Sequence, residues 1–318
     1  MADPGGAPPQ LSLKAKWLDF PATTRGILLM VASTIGFSLM HALVRHLSSE
    51  LHPLQIVFFR NFFGTIFFIP IILKSGLSFL RTERLPMHLL RAGLNVLAMS
   101  TFFMALALSP LAQVNALAFT APLFTAVLSV FFLGERFRAR RWTAILLGFF
   151  GALIIIRPGV AAIDLGSIYT LVSAFIWALT MIVIRSLGST ESSMTTTGYV
   201  IIFLSILSLG PALYVWQTPQ PLTWLILVLI ALTGTSAQTM LAEALKTAET
   251  TAILPFDFLK IVWASALGYL LFAEVPTIYV FIGAFIIFTS GFYVAYRERQ
   301  VTSKTEARPP TLGSGALD

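Results

Sequence analysis

The 318-residue chain contains no cysteine. Disulfide bonds, thiolate chemistry and cysteine-ligated metal sites are therefore excluded. The four histidines are scattered and show none of the spacings that hold a metal ion. We accordingly expect neither a metal site nor a cofactor.

Charge is also scarce, because only 11% of the residues are Asp, Glu, Lys or Arg against about 25% in a soluble domain. The chain has no phosphate-binding loop of the form G-x-x-x-x-G-K-[ST], and neither H-E-x-x-H nor G-x-S-x-G occurs. A single Asp, Asp257, lies inside a predicted membrane span, which excludes a two-aspartate intramembrane protease. These absences predict a protein that is not an enzyme, with no catalytic residues. A gradient-driven carrier, a facilitator or a channel remains.

Long apolar runs dominate the chain, which is 57% hydrophobic with a mean hydropathy of +0.85. A run of about 20 apolar residues can cross a bilayer as a helix. We predict an all-α integral membrane protein with ten transmembrane helices, at residues 25–44, 54–73, 87–108, 111–133, 142–157, 165–184, 196–216, 222–242, 251–272 and 276–295.

The net charge of +7 follows topology and does not indicate a nucleic-acid partner. With ten spans both tails lie on one side, and that side carries 16 of the Lys and Arg residues outside the spans. The opposite side carries two, Arg45 and Arg157. Because cytoplasmic loops are enriched in Lys and Arg, we expect both tails in the cytoplasm and the protein in the inner (plasma) membrane. Residues 1–10 are not basic, so we do not expect them to start a signal peptide.

The two halves of the chain repeat each other at an offset of about 140 residues. Segment 26–49 aligns with segment 166–189, so that Gly26, Ser33 and Arg45 match Gly166, Ser173 and Arg185. Five crossings separate the two helices, so the halves are inverted relative to each other, as in repeat-built carriers with a midplane site. We predict tails at 1–24 and 297–318, and two five-helix repeats at 25–157 and 165–296.

Ionisable groups within spans are costly and therefore mark candidate sites. Lys260 lies about nine residues into span nine, roughly 13 Å deep at 1.5 Å per residue, and Asp257 is one turn away on the same face. They form either a structural ion pair or a site for substrate recognition or ion coupling. Arg60 of span two either snorkels to the lipid interface or binds a carboxylate or phosphate.

Polar and aromatic side chains on other spans are further candidates. His41 lies on the polar stripe of span one, which serves either helix packing or proton coupling. Trp177 of span six could form an aromatic wall for a planar substrate. Pro122 and Pro255 should kink spans four and nine. The amide candidates for substrate binding are Asn95, Gln113, Asn115 and Gln238.

Three segments resemble the drug/metabolite transporter superfamily, and specifically its ten-helix EamA-type branch. They are VFFRNFFG in span two, MALALSPLAQVNALAFTAPLFTAVLSVFFLGE over spans three and four, and AEALKTAETTAILPFDFLKIVWASALGYLLFAE over spans eight and nine. The resemblance covers residues 25–296 and implies roles for Arg60, Glu135 and Glu274. It also implies a cavity lined by spans one, three, four, six, eight and nine, and substrates that range from exported amino acids to imported S-adenosylmethionine or riboflavin.

We therefore expect a secondary transporter of a small organic metabolite that works by alternating access, as a monomer or homodimer in the bilayer. The alternatives are a channel or a membrane-embedded enzyme. The spans hold Arg60, Arg91 and Lys260 against Asp257 alone, and a buried cation is stabilised by an arriving anion. This excess predicts an amino acid or another carboxylate-bearing or zwitterionic substrate, met by Arg60 from the external side and held by Lys260 near the midplane.

Overall fold

The computed structural model describes residue 17 and residues 20–75, 82–134, 139–159, 164–188 and 190–306. In this part of the chain the protein forms α-helices and no β-strand. The helices are α1 (Ala22–Leu47), α2 (Pro53–Ser75), α3 (Leu85–Leu108), α4 (Leu111–Ala118), α5 (Ala121–Leu133), α6 (Ala139–Ile156), α7 (Leu165–Gly188), α8 (Ser193–Tyr214), α9 (Pro221–Thr247), α10 (Thr250–Asp257), α11 (Leu259–Phe272) and α12 (Ile278–Glu306).

These helices form ten membrane spans, which confirms the predicted fold class. Eight helical segments of the described chain are long and apolar enough to cross a bilayer, and α4 with α5 and α10 with α11 each count as one of them. Two shorter apolar stretches, Pro53–Ile69 and Ile278–Val294, supply the others. Helix α12 continues to Glu306, past the predicted end of span ten at residue 295.

Spans four and nine are broken in the middle rather than merely kinked. Helix α4 ends at Ala118, and Pro122 lies in the first turn of α5, because a proline ring clashes with the carbonyl four residues earlier. Pro255 lies in the last turn of α10, and a single turn residue, Phe258, separates α10 from α11. Phe119 and Phe258 occupy equivalent repeat positions at an offset of 139, and their ring centroids are 6.1 Å apart. The two breaks therefore meet near the axis that relates the halves.

Contacts between helices recur in both halves, as inverted repeats require. Helix α1 packs on α9, and α7 packs on α3 in the same way. Ser33 Oγ donates to the Ala237 carbonyl at 2.9 Å, and Ser173 Oγ donates to the Ala98 carbonyl at 2.7 Å. These two hydrogen bonds are equivalent under the repeat offset. On the axis itself, the hydroxyls of Thr65 and Ser205, which are 140 residues apart, are 2.6 Å from each other.

Glycine permits the close approach of the first helix of each half to its partner. A Cβ at Gly26 would collide with Ala248, and a Cβ at Gly166 would collide with Ser109. Ala248 and Ser109 are again equivalent positions. Small residues let membrane helices pack at short distance, so the same device fixes α1 against α9 and α7 against α3. The helices so positioned enclose a central space between the two breaks.

Candidate functional site

A cavity of about 420 Å³ lies between the two halves, beside the breaks in spans four and nine. Its volume is within the range of small-molecule sites, roughly 300–1,000 Å³. Helices α1, α2, α3, α7 and α9 contribute side chains, together with the residues around both breaks. The cavity brings together eight of the predicted site residues: His41, Arg60, Asn95, Asn115, Trp177, Gln238, Asp257 and Lys260.

Gln113 does not line this cavity, contrary to expectation. Its amide Nε2 donates to Ser167 Oγ at 2.7 Å. Asn115 lies two residues further along α4, and two residues turn a helix by about 200°. The two amides therefore face opposite sides of α4, and only Asn115 reaches the cavity.

Asp257 and Lys260 form an ion pair at the break in span nine. Lys260 Nζ is 2.6 Å from Asp257 Oδ1, and the two side chains are 19% and 20% exposed, so water in the cavity reaches both. Lys260 Nζ also lies 5.0 Å from the centroid of the Phe37 ring, within cation–π distance. Asp257 is the last residue of α10, and Lys260 lies in the first turn of α11, so the ion pair bridges the break. The arrangement offers both signs of charge to a ligand.

Arg60 carries a charge that no carboxylate of the described residues balances. Its Nη1 donates to Asn61 Oδ1 at 3.1 Å, while its Nε is buried without a hydrogen-bond partner in the described part of the chain. A Cβ at Gly234 of α9 would lie 3.4 Å from that Nε. The guanidinium therefore lies close to α9 at Gly234. A planar fork held in this way suits a carboxylate ligand.

His41 is fixed in orientation by Asn115. The Asn115 amide Nδ2 donates to the Leu111 carbonyl at 2.8 Å, so its Oδ1 is the acceptor that faces His41. His41 Nδ1 lies 3.0 Å from that oxygen and therefore donates. The imidazole also packs edge-on against Phe102, with centroids 5.0 Å apart. This pair ties α1 to α4.

The amides of Asn95 and Gln238 face the cavity from α3 and α9, and neither has a hydrogen-bond partner among the described residues. Trp177 is 38% exposed and lines the same space. Phe37 was not among the predicted site residues, yet it lines the same cavity and aligns with Trp177 at an offset of 140. The repeat alignment was the signal that could have found it.

An ion pair lies at the end of the cavity away from the chain termini. Arg45 Nε is 2.8 Å from Glu274 Oε1, and Arg45 Nη1 also donates to the Leu106 carbonyl at 2.9 Å. The Leu111 N–H donates to Glu274 Oε2 at 2.9 Å. Helices α1, α3, α4 and α11 are joined here. Glu135, the residue that aligns with Glu274, lies outside the described residues.

A second cavity of about 270 Å³ lies towards the side of the chain termini. It shares Ala121, Pro122 and Trp177 with the central cavity, so the two spaces adjoin. Its other lining residues include Thr125 and Arg185. The central cavity therefore has a continuation on one side of the membrane.

Ten spans in two inverted halves around a central polar and aromatic cavity define a multi-pass membrane carrier of small molecules. The chain belongs to the EamA-like transporter family, whose sequence profile matches residues 24–157 and again residues 164–296. This confirms the family resemblance seen in the sequence.

Named relatives agree with this assignment. The S-adenosylmethionine uptake transporter of Rickettsia bellii is 28% identical over 279 residues, 88% of this chain and 96% of that protein. The riboflavin transporter of Vibrio cholerae is 30% identical, with 86% and 94% covered. The pseudopaline exporter CntI of Pseudomonas aeruginosa is also 30% identical, with 82% and 93% covered. A solved crystal structure that is 18% identical matches 87% of this chain with a TM-score of 0.58, which shows the same fold.

The protein is therefore a transporter of small metabolites, embedded in a membrane. Its family and its named relatives are transporters rather than enzymes.

Proposed function

We propose that this carrier moves a metabolite that bears both a carboxylate and a flat ring, by alternating access across the inner membrane. S-Adenosylmethionine, the substrate named for the Rickettsia relatives, is the first compound to test. The observation that carries the proposal is the charge pattern of the cavity. Arg60 has no carboxylate partner among the described residues, and it lines the same cavity as the Asp257–Lys260 pair and the Phe37 and Trp177 rings.

Each part of such a molecule has a partner in the cavity. The guanidinium of Arg60 binds the carboxylate through charge-assisted hydrogen bonds. Asp257 accepts from the ammonium group of a zwitterion, and the aromatic rings stack on the flat ring. Asn95 and Gln238 supply amide groups for its polar edges. Arg60 and Lys260 outnumber Asp257 in the cavity. A cation without a carboxylate is therefore disfavoured, because its charge would be buried beside a like charge with no negative group to offset it.

The chain orientation is part of the proposal. Sixteen Lys and Arg residues outside the spans lie on the side of the termini and two on the other side, which supports cytoplasmic tails in an inner membrane. The end of the cavity at Arg45 and Glu274 is then external, and the second cavity lies towards the cytoplasm.

Uptake into liposomes that contain the purified protein tests the substrate class. We expect saturable uptake of S-adenosylmethionine and much weaker uptake of its decarboxylated derivative. Arg60→Gln should raise the apparent KM for the carboxylate-bearing compound by roughly 10- to 100-fold, the value of one charge-assisted hydrogen-bonded contact. The same variant should not weaken uptake of the decarboxylated compound, because that compound has no carboxylate for Arg60 to bind.

Arg91→Gln is the matched control. Arg91 donates to the Thr196 carbonyl at 2.9 Å and does not line the cavity, so its replacement should leave substrate discrimination intact. Riboflavin, which has a flat ring and no carboxylate, and a panel of amino acids complete the set. The proposal is wrong if the best substrate lacks a carboxylate, or if folded Arg60→Gln keeps the wild-type KM. Non-saturating flux would indicate a channel.

A further inference from the structure

The two ends of the central cavity are not closed to the same degree. On the side away from the termini, α4 packs along α11. Their repeat counterparts on the side of the termini are α10 and α5, and in the described part of the chain these two helices barely touch. The second cavity continues from the centre on that same side. The structure is thus less tightly closed towards the termini, which the proposed topology places in the cytoplasm.

Polar contacts hold the opposite, external side shut. His41 of α1 donates to Asn115 of α4 at 3.0 Å. Lys260 of α11 lies over the Phe37 ring of α1 at 5.0 Å and is anchored by Asp257 at 2.6 Å. These contacts tie α1 to both α4 and α11, the helices that must separate for the external side to open.

The repeat shows that the other side lacks these groups. At offsets of 139 or 140, the counterparts of His41, Asn115, Asp257 and Lys260 are Met181, Leu254, Ala118 and Ala121. All four replacements are apolar and uncharged, so the equivalent hydrogen bond and cation–π contact cannot form when the cytoplasmic side closes. By contrast, Arg45 of the outer ion pair aligns with another arginine, Arg185, and does not distinguish the two sides.

We propose that His41, Asn115, Asp257 and Lys260 form a polar latch that holds the external side closed, so that the unloaded carrier rests open to the cytoplasm. The inverted repeat supplies two related conformations, and side chains present in one repeat only set the balance between them. The latch shares Asp257 and Lys260 with the proposed substrate site. A bound zwitterion competes for both groups, weakens the Lys260–Phe37 contact and lets the loaded carrier open outwards. This last step rests on the proposed function, whereas the resting orientation does not.

The absence of native cysteine makes the resting orientation measurable by single-cysteine labelling. Thr125 and Ala264 are equivalent positions: Thr125 lines the cytoplasmic-side cavity, and Ala264 is 1% exposed on the closed side. In purified protein in nanodiscs, without substrate, a small maleimide should modify Thr125→Cys at least about tenfold faster than Ala264→Cys. Lys260→Ala, which gives position 260 the residue of its counterpart, should slow the first reaction and speed the second. The ratio of the two rates should fall by roughly five- to tenfold, the effect of one or two net polar contacts.

Two further variants decide the outcome. Lys246→Ala removes an exposed lysine near the end of α9 and should leave the ratio unchanged. The double variant His41→Met/Asn115→Leu places the counterpart residues in the latch and leaves Asp257 and Lys260 unchanged. It should also lower the ratio of the two labelling rates. This double variant tests the latch if Lys260→Ala is not monodisperse. Equal labelling of the two positions in the wild type, or an unchanged ratio in these monodisperse variants, overturns the proposal. If the proposed substrate class is wrong, the uptake assay will show it, and the ratio of the two labelling rates in the absence of substrate will not change.

Discussion

Removing Lys260 alone should destabilise the protein at least as much as removing both partners of the Asp257–Lys260 pair. Lys260→Met leaves the Asp257 carboxylate without the ammonium that lies 2.6 Å away. Asp257→Asn leaves the ammonium, which keeps its place 5.0 Å above the Phe37 ring. The double variant leaves no charge at the break in span nine. The three variants therefore separate the cost of a lone charge from the value of the pair.

The structure sets the expected sizes. A lone charge at the middle of a membrane helix costs about 2.5–3.5 kcal/mol on an insertion scale, but both side chains are about one-fifth exposed to the cavity and stay partly hydrated. We expect about 2 kcal/mol for Lys260→Met. Asp257→Asn should cost about 1 kcal/mol, because the cation–π contact retains about 1 kcal/mol. The double variant should cost about 1–2 kcal/mol less than the sum of the two, which is the usual size of coupling between contacting residues.

Equilibrium unfolding in mixed detergent micelles measures the cycle for the wild type, both single variants and the double variant. Uptake in liposomes is measured on the same preparations. The double variant should be monodisperse and nearly as stable as Asp257→Asn, yet deficient in uptake of the carboxylate-bearing substrate. Additive single effects would show that the two groups do not interact. Normal uptake by the folded double variant would remove Asp257 and Lys260 from the substrate site.

Two other predictions test the orientation and the packing. Reporter fusions after Arg84 should read cytoplasmic and fusions after Asp164 external, and reversed signals would contradict the Lys/Arg argument. Gly151→Ala should destabilise by about 1–3 kcal/mol in the unfolding assay, since its Cβ would lie 2.8 Å from a backbone carbonyl of α12. Gly93→Ala, with no atom within 4 Å of its Cβ, should instead be neutral or stabilise by up to about 1 kcal/mol, and equal effects of the two changes would refute the close contact.

The spans and the inverted halves could be predicted because both can be read directly from the order of residues, without knowledge of tertiary contacts. Apolar length gives a span, and an alignment of the chain with itself gives the repeat. The full break in spans four and nine was harder to foresee. Pro122 and Pro255 indicate a disturbed helix, but whether a proline kinks a helix or ends it depends on neighbours that supply or withhold new hydrogen-bond partners.

The cavity could be predicted only in part, because helix rotation depends on tertiary packing. Gln113 and Asn115 looked alike in sequence, and only the structure turns Asn115 towards His41 and Gln113 towards Ser167. The Arg45–Glu274 pair joins residues 229 positions apart, with nothing in either segment to indicate the other. Long-range contacts of this kind require the fold before they can be read.

Residues shared by the two repeats and residues that differ between them have different functions in this molecule. The hydroxyls of Ser33 and Ser173 make equivalent hydrogen bonds in the two halves, as a scaffold with two symmetry-related conformations requires.

The ionisable side chains that line the central cavity do not recur in the other half. The counterpart of Arg60 is Val200, and those of His41, Asp257 and Lys260 are likewise uncharged. A substrate has no two-fold symmetry, so groups that recognise it need not recur. We therefore propose that the repeated contacts belong to the frame that moves, and that the unrepeated charges recognise the substrate and set the balance between the two conformations.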